Sequence, residues 1–217
     1  MKRFICLMTA LCLLFSVSAF AEEQNSRTLI VYFDYTENIV TDGLDVDALS
    51  TASMAPQFQG THYRDRSNIL VARDVIQQRT GGDVYSIVIG EKYPAGYWNT
   101  AMPALQDKNN NKQFTLINEL PDMSRYDAVY IAVPVWWVDA PPQPVLNFLQ
   151  YTDLSGKQVV YIGMSEDVPL DGSLQRLRQL QPDAVLTGSL LISALTDNDA
   201  TTQQINDFLD SLNETSI

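Results

Sequence analysis

Five short apolar runs in this chain lack the polar–apolar alternation of a half-exposed strand: residues 28–33, 83–89, 127–133, 158–163 and 184–192. A strand without a polar face must be covered on both sides, as in a parallel sheet held between helices. Between the runs, apolar residues recur at helical spacing: Ile69, Ala72, Val75 and Ile76; Val145, Leu146 and Leu149; Leu174, Leu177 and Leu180; Ile205, Leu209 and Leu212. Strand alternating with helix implies βαβ units, right-handed crossovers and an α/β architecture.

Local signals mark where these elements end. Ser67 and Asn68 are suited to cap the first helix and Gly81 and Gly82 to close it. Pro141 and Pro142 are expected in a first helical turn, where missing N–H groups cost nothing. Two segments break the rhythm. Residues 39–65, rich in Ser, Thr, Gly and Asp, are too long for an ordinary βα loop and are expected to form an insertion or flap. Residues 98–118 are the other, with "DKNNNK" at 107–112 reading as a solvated turn. No repeat or linker divides the chain, so residues 22–217 are expected to form one domain.

The amino terminus reads as a leader. Lys2 and Arg3 precede an apolar run over residues 4–17, and Ala19-Phe20-Ala21 offers a small-residue cleavage pattern before Glu22. A signal peptide over residues 1–21 makes the protein exported, periplasmic or secreted. Its apolar stretch is shorter than the roughly 20 residues a spanning helix needs. Both cysteines, Cys6 and Cys12, lie inside that leader, which removes disulfides and thiol catalysis from the mature chain. Losing Lys2 and Arg3 takes the formal charge from −12 to −14, a balance that disfavours nucleic acid and anionic membranes. His62 is the single histidine, which leaves little support for triad or His-metal chemistry.

The feature that bears on chemistry is "AVPVWWVDAPPQPVLNFL" over residues 132–149, where Trp136 and Trp137 follow a buried-looking strand. In an open parallel sheet, ligands bind beyond the carboxyl ends of the strands, so two indoles there are placed to stack on a flat ligand. This segment, continuing through "DLSGK" at 153–157, together with "EKYPAGY" at 91–97, resembles the flavodoxin-like proteins that bind FMN. The resemblance runs from Thr28 to about Leu212. It implies a doubly wound, three-layer α/β/α fold with a five-stranded parallel sheet of order 2-1-3-4-5. It also implies FMN held by the loops after the first, third and fourth strands. Pro134, Trp136 and Trp137 would wall the ring, with help from Tyr93 or Trp98.

The resemblance also names a phosphate end. Its usual hydroxyl- and glycine-rich stretch corresponds to "DYTENIV" at 34–40, where Thr36 and Asn38 match but Asp34 stands for a hydroxyl, Glu37 for a glycine and Ile39 for a threonine. Like charges about 4 Å apart repel by about 1 kcal/mol in water and about 4 kcal/mol at an effective dielectric near 20. An insertion over 39–65 would move the anion site to Ser67 and Asn68 at the helix start, with Arg64 and Arg66 close by. In the third loop, Ser165, Gly172 and Ser173 match, whereas Glu166 and Asp167 occupy expected glycine positions.

Two functions follow as expectations. The first is an exported FMN protein that carries electrons, or passes hydride equivalents to a quinone-like acceptor, as a flavin-dependent oxidoreductase. Thr36, Ser67, Asn68 and Arg64 would hold phosphate or ribityl groups, and Ser165 and Gly172 would edge the ring. The second is a non-enzymatic binding or interaction module of the same fold that has lost FMN.

Overall fold

The computed structural model describes residues 27–40, 67–166 and 168–214. The expected leader with its cysteines, His62, Arg64, Arg66, Asp167 and most of the 39–65 insertion lie outside them.

The first apolar run becomes β1 (Thr28–Tyr32), and all five of its residues are buried. A 3-10 turn over Thr36–Asn38 follows, then the short β2 (Ile39–Val40). Next come α1 (Asn68–Thr80), β3 (Asp83–Ser86), β4 (Tyr93–Pro94) and α2 (Tyr97–Asn109). The remainder is β5 (Ala128–Pro134), α3 (Gln143–Tyr151), β6 (Gln158–Ser165), α4 (Asp171–Leu180), β7 (Val185–Ser193) and α5 (Asn198–Glu214).

The main sheet has the order β3-β1-β5-β6-β7 with every pairing parallel, which is the expected 2-1-3-4-5 topology. Side chains alternate between its two faces. One face carries Leu29, Val31, Val129, Ile131 and Val133 into a core with Val145, Phe148 and Leu149 of α3 and Leu177 of α4. The other carries Ile30, Ala132, Val160 and Ile162 against Ile69, Ala72 and Ile76 of α1 and Ile205 and Leu209 of α5. Double coverage is why the central strands β1, β5 and β6 needed no polar face; the edge strands differ from the expectation, since β3 and β7 leave residues such as Val84, Val185 and Leu191 exposed.

The helix ends follow the sequence with two differences. Ser67 is the N-cap of α1, its hydroxyl accepting from the Leu70 amide at 3.2 Å, and Gly81 closes the helix at φ +65°. Pro142 is the N-cap of α3 rather than a first-turn residue, and Pro144 is the proline inside that turn. The second difference is larger. Residues 98–118 were expected outside the α/β rhythm, yet α2 occupies their first half, with Pro103 inside it and the DKNNNK stretch forming its final turn and exit. Its cap N–H groups close onto Gln106 and Lys108, and Asn111 takes φ +50°, a value Asn tolerates.

A second, two-stranded sheet pairs β2 with β4 in parallel, Ile39 opposite Tyr93. It brings the Tyr-Pro segment alongside the exit of β1. Asn38 fastens this arrangement. Its buried Nδ2 donates to the Asp34 carbonyl at 2.8 Å and the Ile87 carbonyl at 3.0 Å, and its Oδ1 accepts from the Ile89 amide at 2.9 Å. Among the described residues, no helix is long and apolar enough to cross a membrane.

Candidate functional site at the carboxyl edge of the sheet

The carboxyl ends of β1 and β5 lie side by side, since Tyr32 is in register with Ala132. The chain leaves β5 through buried Pro134, and the Val135 amide reaches across to the Met164 carbonyl at 2.8 Å. Trp136 then enters a set of aromatic rings. Its centroid lies 5.6 Å from Phe33, 6.4 Å from Tyr35 and 6.0 Å from Tyr93, all edge to face. Such contacts contribute about 0.5–1.5 kcal/mol each beyond area burial. Tyr93 in turn meets Phe114 at 5.8 Å.

Trp137 begins a tight turn in which its own amide and carbonyl pair with those of Ala140. The Lys108 ammonium stands 6.0 Å from the Trp137 ring and is ion-paired to Asp139 in the same turn. Both indole Nε1 atoms, of Trp136 and Trp137, are buried without a hydrogen-bond acceptor among the described residues. A buried donor left unpaired costs about 1–3 kcal/mol, so two at one sheet edge mark a place where a further acceptor would be gained.

Tyr35 and Tyr93 complete this wall as neutral phenols. The Tyr35 hydroxyl donates to Thr100 Oγ1 at 2.9 Å, because that oxygen already donates to the Pro94 carbonyl at 2.6 Å; it accepts from the Gly96 amide at 3.3 Å. Burial pushes the Tyr35 phenol above its ordinary range, and burial together with the Asp107 carboxylate pushes Tyr93 further up.

Beside the aromatic wall, on the α1 side, the edge is polar. Asp34 is wholly buried. One carboxyl oxygen accepts from the Thr36 amide at 2.9 Å and from the Thr36 hydroxyl, and the other accepts from the Ser67 hydroxyl. Burial raises the Asp34 pKa, an effect that the Ser67 and Thr36 hydrogen bonds oppose. Glu37 is engaged as well, accepting from the Tyr32 hydroxyl at 2.9 Å and from the Ser86 hydroxyl. The nearby Arg73 guanidinium lies 5.2 Å over the Tyr32 ring and pairs with Asp74.

The remaining residues singled out from sequence take supporting positions. Asn68 donates to the Thr196 carbonyl at 3.0 Å, tying the start of α1 to the exit of β7. Ser165 accepts from the Val168 amide at 2.8 Å and so shapes the loop after β6. Gly172, in the first turn of α4, lies so close to the β5 exit loop that a Cβ would stand 2.1 Å from the Val138 carbonyl oxygen and 2.5 Å from the Asp139 Cα. Its lack of a side chain admits the loop that carries the tryptophans. Trp98 stands at 71 % exposure on the first turn of α2, whereas Trp136 and Trp137 are half-buried. Arg64 lies outside the described residues.

The structure therefore joins Trp136 with Tyr93, and Thr36 with Ser67, and both groups meet on the segment 33–36. Phe33, Tyr35, Asp34 and Lys108 were not among the residues singled out as a binding set. Phe33 and Tyr35 flank Asp34 and project to the aromatic side, a period-2 signal hidden at the end of an apolar strand. Among the described residues, no group of His, Cys, Asp and Glu could hold a metal ion.

Comparison with known proteins agrees with the architecture. A candidate flavoprotein from Bacteroides eggerthii superposes with a TM-score of 0.58 at 22 % identity, covering 85 % of this chain and 99 % of its own. A candidate flavoprotein from Bacteroides uniformis gives 0.59 at 19 % identity over 83 % and 98 % of the two chains. A flavoprotein from Lactobacillus acidophilus, solved in complex with FMN, gives 0.53 at 14 % identity over 85 % and 99 %. No curated protein sequence matches. The family model described as Flavodoxin matches residues 76–209, more than half of the chain, from the middle of α1 through β7 into α5. The chain belongs to the flavodoxin family.

Proposed function

We propose that this protein binds a flavin on the aromatic wall at the carboxyl edge and serves in electron transfer. FMN is the flavin that the sequence resemblance implies and that the L. acidophilus structure holds. The observation that carries the reading is the pair of buried indole N–H groups of Trp136 and Trp137 with no acceptor. They lie beside Phe33, Tyr35 and Tyr93, where a flat ring bearing carbonyl oxygens would supply both stacking area and acceptors. A bound flavin supplies the redox chemistry itself. The chain's residues position the ring and exclude water, so no side chain need act as acid or base.

The ring end of FMN fits these residues, and the phosphate end does not. Thr36 and Ser67, the hydroxyls expected to hold the phosphate, already donate to Asp34. The same observation favours the second reading, a flavodoxin-fold binding module without FMN. Export through the amino-terminal leader and transfer to a quinone-like acceptor belong to the first reading as proposals.

Visible absorbance of the purified protein, before and after incubation with riboflavin and with FMN, tests the proposal. A stoichiometric flavin with quenched fluorescence that survives desalting is expected. Absence of any retained flavin would leave the binding-module reading in its place.

A further inference from the structure

Resting on the flavin reading, we infer that Asp34 is a built-in occupant of the place a phosphate would take, so the site selects a flavin without a phosphate, riboflavin, over FMN. Three observations carry this. First, the Asp34 carboxyl group is wholly buried and accepts from three donors of the β1 exit and the α1 cap, the Thr36 amide, the Thr36 hydroxyl and the Ser67 hydroxyl, the last two being the hydroxyls expected to hold a phosphate. Second, the Ser67 oxygen accepts from the Leu70 amide, so donating and accepting roles of that hydroxyl are both used inside the protein. A dianionic group seeking these two hydroxyls would have to displace an internal acid.

The third observation is the surrounding charge among the described residues. Glu37 follows within the same turn, held by the hydroxyls of Tyr32 and Ser86, and Asp74 stands on α1 with Arg73. The Arg73 guanidinium is committed to Asp74 and to the Tyr32 ring rather than to Asp34. The helix start thus already has its anion, which favours the N-terminal end of α1 as an external one would. A flavin with a neutral ribityl tail meets no like charge at this edge, while its ring would still reach the aromatic wall.

The test is a pair of fluorescence-quenching titrations, riboflavin and FMN, on the wild-type protein, Asp34→Ser and Asp34→Asn. Ser frees the hydroxyls of Thr36 and Ser67, and Asn keeps the shape of Asp34 without its charge. Wild type should bind riboflavin more tightly than FMN, by between about fivefold, as for like charges in water, and about a thousandfold, as at an effective dielectric near 20. Asp34→Ser should reverse that order. Asp34→Asn should narrow the gap, and it carries the test should the Ser variant fail to fold.

FMN binding as tightly as riboflavin to wild type would overturn the inference while leaving the flavin reading intact. An unchanged ratio in a folded Asp34 variant would also overturn it. Binding of neither flavin to wild type would remove the flavin reading itself, and with it this inference.

Discussion

Two loops meet at the carboxyl edge of the sheet, and they are finished to different degrees. The polar side chains at the exit of β1 are self-satisfied: Asp34, Thr36, Glu37 and Asn38 each find partners within the chain. The exit of β5, residues 134–140, is apolar and leaves two buried indole donors without acceptors. A loop whose polar side chains are already paired gains less from a ligand there than one with buried unpaired donors. On the flavin reading proposed above, the contrast puts the gain from a ligand at the ring end rather than at the phosphate end, where helix starts commonly hold anions.

Substitutions can break this comparison from either side. The largest effect is expected from Trp136→Ala, which removes the ring joining Phe33, Tyr35 and Tyr93. Chemical denaturation should show a loss of about 3 kcal/mol, and flavin binding should vanish with it. Asn38→Ala strikes the polar loop instead, stranding the Ile89 amide and the carbonyls of Asp34 and Ile87. It should cost about 2 kcal/mol by the same measurement, with the aromatic wall loosened through β4.

Gly172→Ala sharpens the comparison because it touches the aromatic loop only through backbone contact. The new methyl group cannot coexist with the Val138 carbonyl, so the 137–140 turn must move. A stability loss of about 1–2 kcal/mol is expected, with weakened flavin binding in titration. The smallest effect belongs to Lys108→Met: its ion pair with Asp139 reaches solvent on the Asp139 side, and thermal melts should report no more than about 0.5 kcal/mol.

Acid titration probes the polar loop by another route. Burial raises the folded-state pKa of Asp34, opposed by its hydrogen bonds, so the folded protein holds that proton more tightly than the unfolded chain. Asp34 therefore imposes no charge penalty below the ordinary aspartate pKa, and its penalty grows as pH rises through the raised value. Compared with wild type, Asp34→Asn should lose less stability across that rise; a wild type that instead gains relative to the variant would contradict the assignment.

How much of this could be read in advance depended on how local the signal was. The parallel sheet was legible because double coverage leaves a mark in each central strand separately, as the unbroken burial of β1 and most of β5 shows. The Trp136–Trp137 pair was legible by its position after such a strand. Helix α2 was not, since Pro103 and the polar run at 107–112 outweigh its weak apolar pattern. The union of Asp34 with Ser67 was also hidden. The two residues are 33 positions apart, and sequence presents one as an obstacle to an anion and the other as its receptor. Packing makes them partners, which changes the meaning of both.

The most direct test is a 15N-resolved NMR spectrum of the three tryptophan indole N–H groups, recorded before and after adding riboflavin. The signals of Trp136 and Trp137 should shift downfield as their donors gain acceptors, while that of exposed Trp98 stays in place. A flavin that moves the Trp98 signal and leaves the other two unchanged would contradict recognition at the β5 exit.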